Sequence, residues 1–521
     1  MKILKSCFVF FTRIQLLFTY ITALLLILNS FLLTSCTQGS TENPPILRIG
    51  NGNEPETIDP VLCQSIQCFR VTSALFEGLV GRGLDGGPIQ PAIAHNWTIS
   101  SDELTYTFHL RKSNWSDGTP VTSHDFVWSW HRLIDPKTTA SYRNLLDAID
   151  TSKLYAPNDS TLIVTLKQPQ AYFLDLLSLE PLFPTPRHII EKYGVNWTTE
   201  NPVSNGPFKL SHWYNHREIA TVKNNFYWDH SHVLLDSLRF YPIDNNQTEL
   251  SLFQGGQLDW IHKLAPTRII LWNKKPEFVS SAKYGIEMYR LNTTHPALKN
   301  QKIRLALSLA IDRDKIVRFV TKGGEKALWS YFPEGIDFYP QHKWLEYNPK
   351  KARQLLLESG FNPKQIGNIE IVYNQSGNNK VIAEVISQMW KTELGLQVSL
   401  KNLEWKVMLD QVDQLNYTVA RSSWIGDYMD PTTFSDIFES TSPNNRTGYK
   451  SPTYDSLVKL VRSKTPNRIQ ILEKLDSLLS TDAPIIPLFS YRNIELRKQR
   501  IQGIHEHPLG LYNYKYIWLK K

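Results

Sequence analysis

Cysteine is scarce in this chain, and what there is lies near one end. The 521 residues include four cysteines, at Cys7, Cys36, Cys63 and Cys68. So few exclude a disulfide-stapled scaffold, and a hydrophobic core has to hold the fold. After Leu33 no apolar run is long enough to cross a bilayer. Lys and Arg form no block, so the formal charge of +8 is spread thinly and leaves no footprint for nucleic acid. There is no internal repeat and no low-complexity tract. The nucleophile elbow G-x-S-x-G, the zinc motif H-E-x-x-H and the phosphate loop G-x-x-x-x-G-K-[ST] are all absent. The sequence therefore gives no motif for an enzyme, a metal centre or a cofactor, and none of the three is expected.

What is present begins with an address. Lys2, Lys5 and Arg13 precede an apolar run from Ile14 to Leu33, which meets Leu33-Thr34-Ser35-Cys36. A basic start, an apolar core and small residues before a cleavage point predict a secretory signal over residues 1–35. Leu-Thr-Ser-Cys resembles the lipobox of bacterial lipoproteins, in which Cys36 would become the lipidated first residue. The rival reading of the run is an uncleaved membrane anchor. Residues 36–45 are small, polar and proline-terminated, as a tether should be. The mature body then has about 490 residues, too many for one core and suited to two or three compact units. Losing Lys2, Lys5 and Arg13 lowers the formal charge from +8 to +5. Cys63 and Cys68 remain, either as a disulfide closing a small loop or as buried free thiols.

The body reads as α/β. Residues 46–50 predict a strand, and 104–111 alternate as a half-buried strand does. Phe126, Trp130 and Leu133 share one face of a helix. Residues 302–311 predict an amphipathic helix and 312–317 the start of another. Residues 369–373, 381–394 and 395–400 give strand, helix, strand, the pattern of a parallel sheet. Residues 483–489 read as a proline-flanked run, and 511–519 as a closing strand. His505-Glu506-His507 reads as a solvated strand end. Arg421-Ser-Ser-Trp424-Ile-Gly-Asp427-Tyr428-Met-Asp430-Pro431 puts an arginine, two acids and two aromatics on a loop after a strand. That density marks a recognition site, or else a solvated turn. Asp427 and Asp430 sit on one loop, whereas glycosidase carboxylates usually come from separate elements.

Several patterns occur in order: Asp59-Pro60, Leu75-Phe76-Glu77-Gly78-Leu79, Trp115-Ser-Asp-Gly-Thr-Pro-Val-Thr122 and Ser204-Asn-Gly-Pro-Phe208. Arg304-x-Ala306-Leu307, Asp312-Arg313, Trp405 and the 424–431 loop follow. Together they resemble the oligopeptide-binding lipoproteins and periplasmic proteins that serve bacterial peptide ABC importers. The resemblance implies a type II-like, two-lobed clamshell with an additional domain inserted in the first lobe. Lobe I would comprise residues 46–76, 200–285 and 490–521, the additional domain 77–199 and lobe II 286–489. It also implies a monomer that captures short peptides outside the cytoplasm, held to the membrane through Cys36. Its partners would be the permease and ATPase subunits of the importer.

By the same resemblance Asp427 receives the peptide's N-terminal ammonium. A charged amine in a cleft closed to water needs an ionised partner. Arg421 matches an arginine whose fork suits a carboxylate. Trp405, Trp424 and Tyr428 match pocket aromatics, and Tyr142 a cleft tyrosine of the additional domain. Gln64 stands where well-known members carry a glutamate, and the main chain from Gln64 to Ile66 is expected to pair with peptide backbone. Gly285 and Ile425 stand where some members form a disulfide. The rivals keep the fold with dipeptides, muropeptides or a metal chelate as ligand, or change the class to an envelope hydrolase or an adhesin.

Overall fold

The computed structural model describes residues 45–333, 339–375, 377–463 and 465–520. The expected signal, Cys36 and all of the tether except Pro45 lie outside them. No helix among the described residues is long and apolar enough to cross a membrane.

A mixed sheet of eleven strands runs through the body. Its order is Gln397–Leu403, Asn368–Asn374, Val419–Ile425, Phe278–Leu291, Ile485–Arg497, Trp260–Ile261, Ile46–Gly52, Ser237–Pro242, Glu218–Lys223 and Phe208–Tyr214. Lys326–Ala327 adds to Ile485–Arg497. The strands at Asn368 and Gln397 pair in parallel, with helix Asn379–Leu394 between them in the chain. That is the unit expected from the sequence. Four further strands, Ala94–Ile99, Thr105–Leu110, Thr161–Thr165 and Tyr155–Asn158, form a separate antiparallel sheet.

Phe278–Leu291 and Ile485–Arg497 carry the large sheet from one end to the other. Phe278–Ala282 pair with Arg492–Leu496, and Ile286–Arg290 with Ile485–Ser490. Between these blocks Lys283, Tyr284 and Gly285 face Tyr491 alone, so the ladder is interrupted by a bulge. One apolar core draws on residues from 47 to 260 and from 501 to 517, and takes in Tyr428 as well. Two others draw on residues from 284 to 489. The bulge thus falls where one core gives way to the next. Gly285 pairs with Ile425, and a Cβ on Gly285 would lie 2.4 Å from the Ile425 side chain.

Much of the ordered motif set is framework. Buried Asp59 accepts hydrogen bonds from the Arg132 guanidinium, the Trp197 indole and the Val61 amide. Asn205 bonds both the amide and the carbonyl of Glu77. A Cβ on Gly206 would strike the backbone of Leu75 and Phe76 at 2.7 Å. Arg304 donates to the carbonyls of Leu298, Lys299, Asp482 and Ala483. Fully buried Arg313 donates to Pro487 at 2.7 Å and to Leu345 at 3.0 Å. Buried charges of this kind persist because their hydrogen bonds are complete.

Two expectations change, and a third holds in a shorter form. The proline-flanked run 483–489 is the start of the long strand Ile485–Arg497. Pro487 is tolerated there because the register shifts beside its partner Met288, and bulges are where sheets accept proline. The closing strand expected over 511–519 is mostly turn. Asn513 caps a short helical turn at Tyr514–Tyr516, and only Trp518–Leu519 pair, with Ile501–Gln502. The helix expected after Asp312 is one turn, Arg313–Ile316, which widens at Val317–Thr321. Replacing Asp59 by alanine would leave the Arg132 guanidinium without its acid. The Asp59→Ala protein should lose about 3 kcal/mol of unfolding free energy, read by urea denaturation.

Candidate functional site

Asp427 follows the end of strand Val419–Ile425 by two residues. The turn that holds it is pinned on each side. The Gly426 amide donates to the Tyr284 carbonyl at 2.8 Å, and the Asp427 amide to the Thr433 hydroxyl at 3.1 Å. Gly426 allows this close approach, since a Cβ there would lie 2.4 Å from the Tyr284 ring. Asp430 is buried, accepts from Thr432, and forms a forked ion pair with Arg468 at 2.7 and 2.8 Å. It braces the loop.

The Asp427 carboxylate itself has no hydrogen-bond or ion-pair partner among the described residues. It opens onto solvent in the cleft, yet protein surrounds most of it. Lost hydration raises its pKa to about 6. Two cavities meet there, and both are lined by Asp427 and Leu145. One, of about 160 Å³, is walled by Ile66, Phe69, Tyr142, Leu179, Ile425 and Leu511. The other, of about 460 Å³, is more polar and includes Gln170, Tyr172, Trp424, Tyr428, Asp436 and Arg462. Burial raises the Asp436 pKa to about 7, and Glu439 and Asp430 add to the rise against the pull of Arg462.

The residues expected from the sequence divide into two groups. Asp427, Trp424, Tyr428, Tyr142 and Ile66 line the cavities. Tyr142 packs edge-on against Phe69, with ring centroids 5.8 Å apart. Burial raises its pKa, and the Asp427 charge adds to the rise. Tyr428 stacks flat on Tyr172 at 4.4 Å. Beside them the Ala171 amide donates to the Arg462 carbonyl. Arg421, Gln64 and Trp405 are not on either lining. Arg421 is held by Glu287 and the Tyr491 hydroxyl, so its fork is already engaged. The Gln64 and Ser65 amides both donate to the Glu56 carboxylate. Trp405 is 47% exposed at the start of helix Trp405–Asp413. Cys63 and Cys68 are joined in a disulfide with Cα atoms 5.7 Å apart, which closes the loop leading into helix Ile66–Leu75.

Phe69, Leu145, Tyr172, Gln170, Asp436 and Arg462 escaped the sequence reading. No local pattern marks them, and only the fold brings them to the loop. Gly81-Arg-Gly-Leu-Asp-Gly86 fits the G-x-G-x-x-G spacing of dinucleotide turns. It lies between the short paired strands Val80–Gly81 and Gln90–Pro91, with no helix behind it to receive a phosphate. His505-Glu506-His507 is less solvated than expected: His507 is buried, Glu506 pairs with Arg497 and His505 contacts Asp85. Asp427 should titrate near pH 6 instead of near 4. A carboxyl NMR signal that titrates at 6 and is missing from Asp427→Asn would establish this.

Residues 88–446 match the family model described as bacterial extracellular solute-binding proteins, family 5 Middle. The chain is 34% identical over 481 residues to the periplasmic oligopeptide-binding protein OppA of Salmonella typhimurium, covering 87% of this chain and 88% of the relative. It is 33% identical over 530 residues to the dipeptide-binding protein DppE of Bacillus subtilis, covering 94% and 96%. Among solved structures, the unliganded open form of the murein tripeptide-binding protein MppA superposes with a TM-score of 0.82 at 28% identity, covering 92% of this chain and 98% of that one. Haemophilus influenzae OppA in complex with RPPGFSPFR superposes with a TM-score of 0.74 at 30% identity, covering 92% and 100%.

Proposed function

Since the chain belongs to family 5 of the bacterial extracellular solute-binding proteins, we propose that it captures short peptides by their free N-terminus and hands them to an ABC importer. One observation carries this reading. Asp427 is an unpaired carboxylate, held on a braced loop where two cavities meet. It lacks only a cation, and the N-terminal ammonium of a peptide supplies one. Trp424 and Tyr428 shape the space beside it. Strand-like pairing to the peptide backbone serves every sequence alike.

The domain boundaries suggested by the sequence fit this use. Segments 46–76, 200–285 and 490–521 would form lobe I, 77–199 the additional domain and 286–489 lobe II. The interrupted ladder at Lys283–Gly285 supports a hinge between the lobes. Arg421 is engaged by Glu287 in this arrangement, so it meets a peptide carboxylate only if it exchanges partners. Trp405 and Gln64 are proposed as contacts made on closure. The body acts as a monomer outside the cytoplasm, tethered through Cys36 and working beside permease and ATPase subunits. It performs no chemistry on its ligand.

Asp427→Ala should weaken binding of a free-amine peptide by about 2 kcal/mol or more, roughly thirtyfold, measured by calorimetry. N-acetylation of the peptide should cost the wild type as much. Equal binding of acetylated and free peptides would exclude the role given to Asp427. Only the ionised carboxylate pairs with an ammonium, so with a pKa of about 6 affinity should fall as pH drops from 7 to 5.

A further inference from the structure

The face of the body where the chain enters it carries charged and apolar side chains that peptide capture does not use. A groove of about 700 Å³ opens there. Its lining sets Arg497, Lys498, Arg500 and Lys520 against one acid, Glu506. Arg497 is neutralised by Glu495 and Glu506, and Arg500 by Asp259 at 2.9 Å. Lys498 Nζ stands 4.3 Å from the centroid of the Phe253 ring, and neither it nor Lys520 has an acid partner among the described residues. The same wall continues into an apolar step. Pro276 lines the groove, and the Arg497 amide donates to the Glu277 carbonyl. Just before them, helix Pro266–Trp272 buries Ile269 and Trp272 and leaves Ile270 and Leu271 in solvent, 61% and 58% exposed. Lys274 and Lys275 follow, both exposed and without an acid partner among the described residues. Lone apolar residues at a surface are ordinary, but two adjacent large ones beside unpaired lysines have the composition of a membrane-surface contact.

The groove also lies close to the start of the first strand. Arg48, on that strand, shares the buried Asp259 carboxylate with Arg500. The chain from Cys36 to Pro45 spans at most about 30 Å. A lipid on Cys36 would therefore keep this face within reach of the bilayer. We propose that the face docks on the membrane itself. Ile270 and Leu271 enter the headgroup layer, while Lys274, Lys275, Lys498 and Lys520 pair with anionic phospholipid headgroups. Its nearness to the bilayer rests on the anchor read at Cys36; its chemistry does not. Such a contact would fix how the body is turned towards the importer, which a tether alone leaves free.

The test uses the whole protein with an environment-sensitive fluorophore on Leu271→Cys. The protein is reconstituted on phosphatidylcholine vesicles and on mixed phosphatidylcholine–phosphatidylglycerol vesicles. Cys63 and Cys68 are joined and take no label. The anchor is the same on both vesicles, so a difference between them reports the face. On the mixed vesicles alone, emission should shift to the blue and quenching by aqueous iodide should be lost. Salt at about 1 M, where the Debye length falls to about 3 Å, should reverse both effects. The triple variant Lys274→Glu, Lys498→Glu, Lys520→Glu should abolish them and keep its affinity for peptide. Should it fail to fold, Ile270→Asp should weaken them. A fluorophore on Val195→Cys, at an exposed position, should stay in water throughout. The proposal is overturned by a label at 271 that stays in water on mixed vesicles, that ignores the substitutions, or that is matched at 195. It is overturned too by a label that shifts only when the importer's permease is added, since the face would then serve a protein partner. Labelling the unmutated protein separates the two readings. Uptake there shows a free cysteine near the N-terminus, so the lipid anchor fails, and Leu271→Cys in a Cys7→Ser, Cys36→Ser chain still decides the face. No uptake, with the label at 271 left in water, keeps the anchor and sinks the face.

Discussion

A carboxylate held at the mouth of a cleft without a cation beside it is an incomplete structure. Water hydrates a charged group better than a cleft does, so the chain bears a cost to hold Asp427 where it is. That cost shows as a pKa raised to about 6. The neighbouring acid behaves differently. Asp430 is more deeply buried but has Arg468 beside it, so its charge is complete and its work is mechanical. Two acids three residues apart thus divide the tasks of recognition and bracing, according to which one the fold gives a partner.

The rest of the body keeps that arrangement in place. Val419–Ile425 delivers the loop from the sheet, flanked by Phe278–Leu291. The same long strand carries the bulge at Lys283–Gly285, and the Tyr284 carbonyl within it accepts from Gly426. The bulge and the recognition loop are therefore joined directly, by this hydrogen bond and by the pairing of Gly285 with Ile425. A change of angle at the bulge would be felt at Asp427 directly, which is the coupling a closing cleft needs.

The sequence revealed what is local. The loop 421–431 is contiguous, so its charge and aromatic density were visible, as were the strand, helix and strand of residues 369–400. What it hid depends on distant partners. Glu287 neutralises Arg421 across 134 positions of chain, so an arginine that looked free is engaged. Tyr172 reaches Tyr428, and Arg462 reaches Asp436, only through the fold. Alternating residues near the C-terminus resembled a strand, yet Asn513 turns the chain there. Pro487 masked a central strand because a register shift, unreadable in sequence, accommodates it. The motifs that identified the family proved mostly to be framework, such as Asp59 and Arg313, while most of the polar cavity carried no motif at all.

The central claim is that an ammonium completes Asp427, and proton release on binding tests it most directly. At pH 6 a carboxyl with a pKa of about 6 is about half protonated, and pairing with a cation expels that proton. Calorimetry of one free-amine peptide at pH 6, in two buffers of different ionisation enthalpy, measures the number released. The account predicts release of about half a proton that Asp427→Asn abolishes. Binding with the same enthalpy in both buffers, or release unchanged in Asp427→Asn, would contradict it.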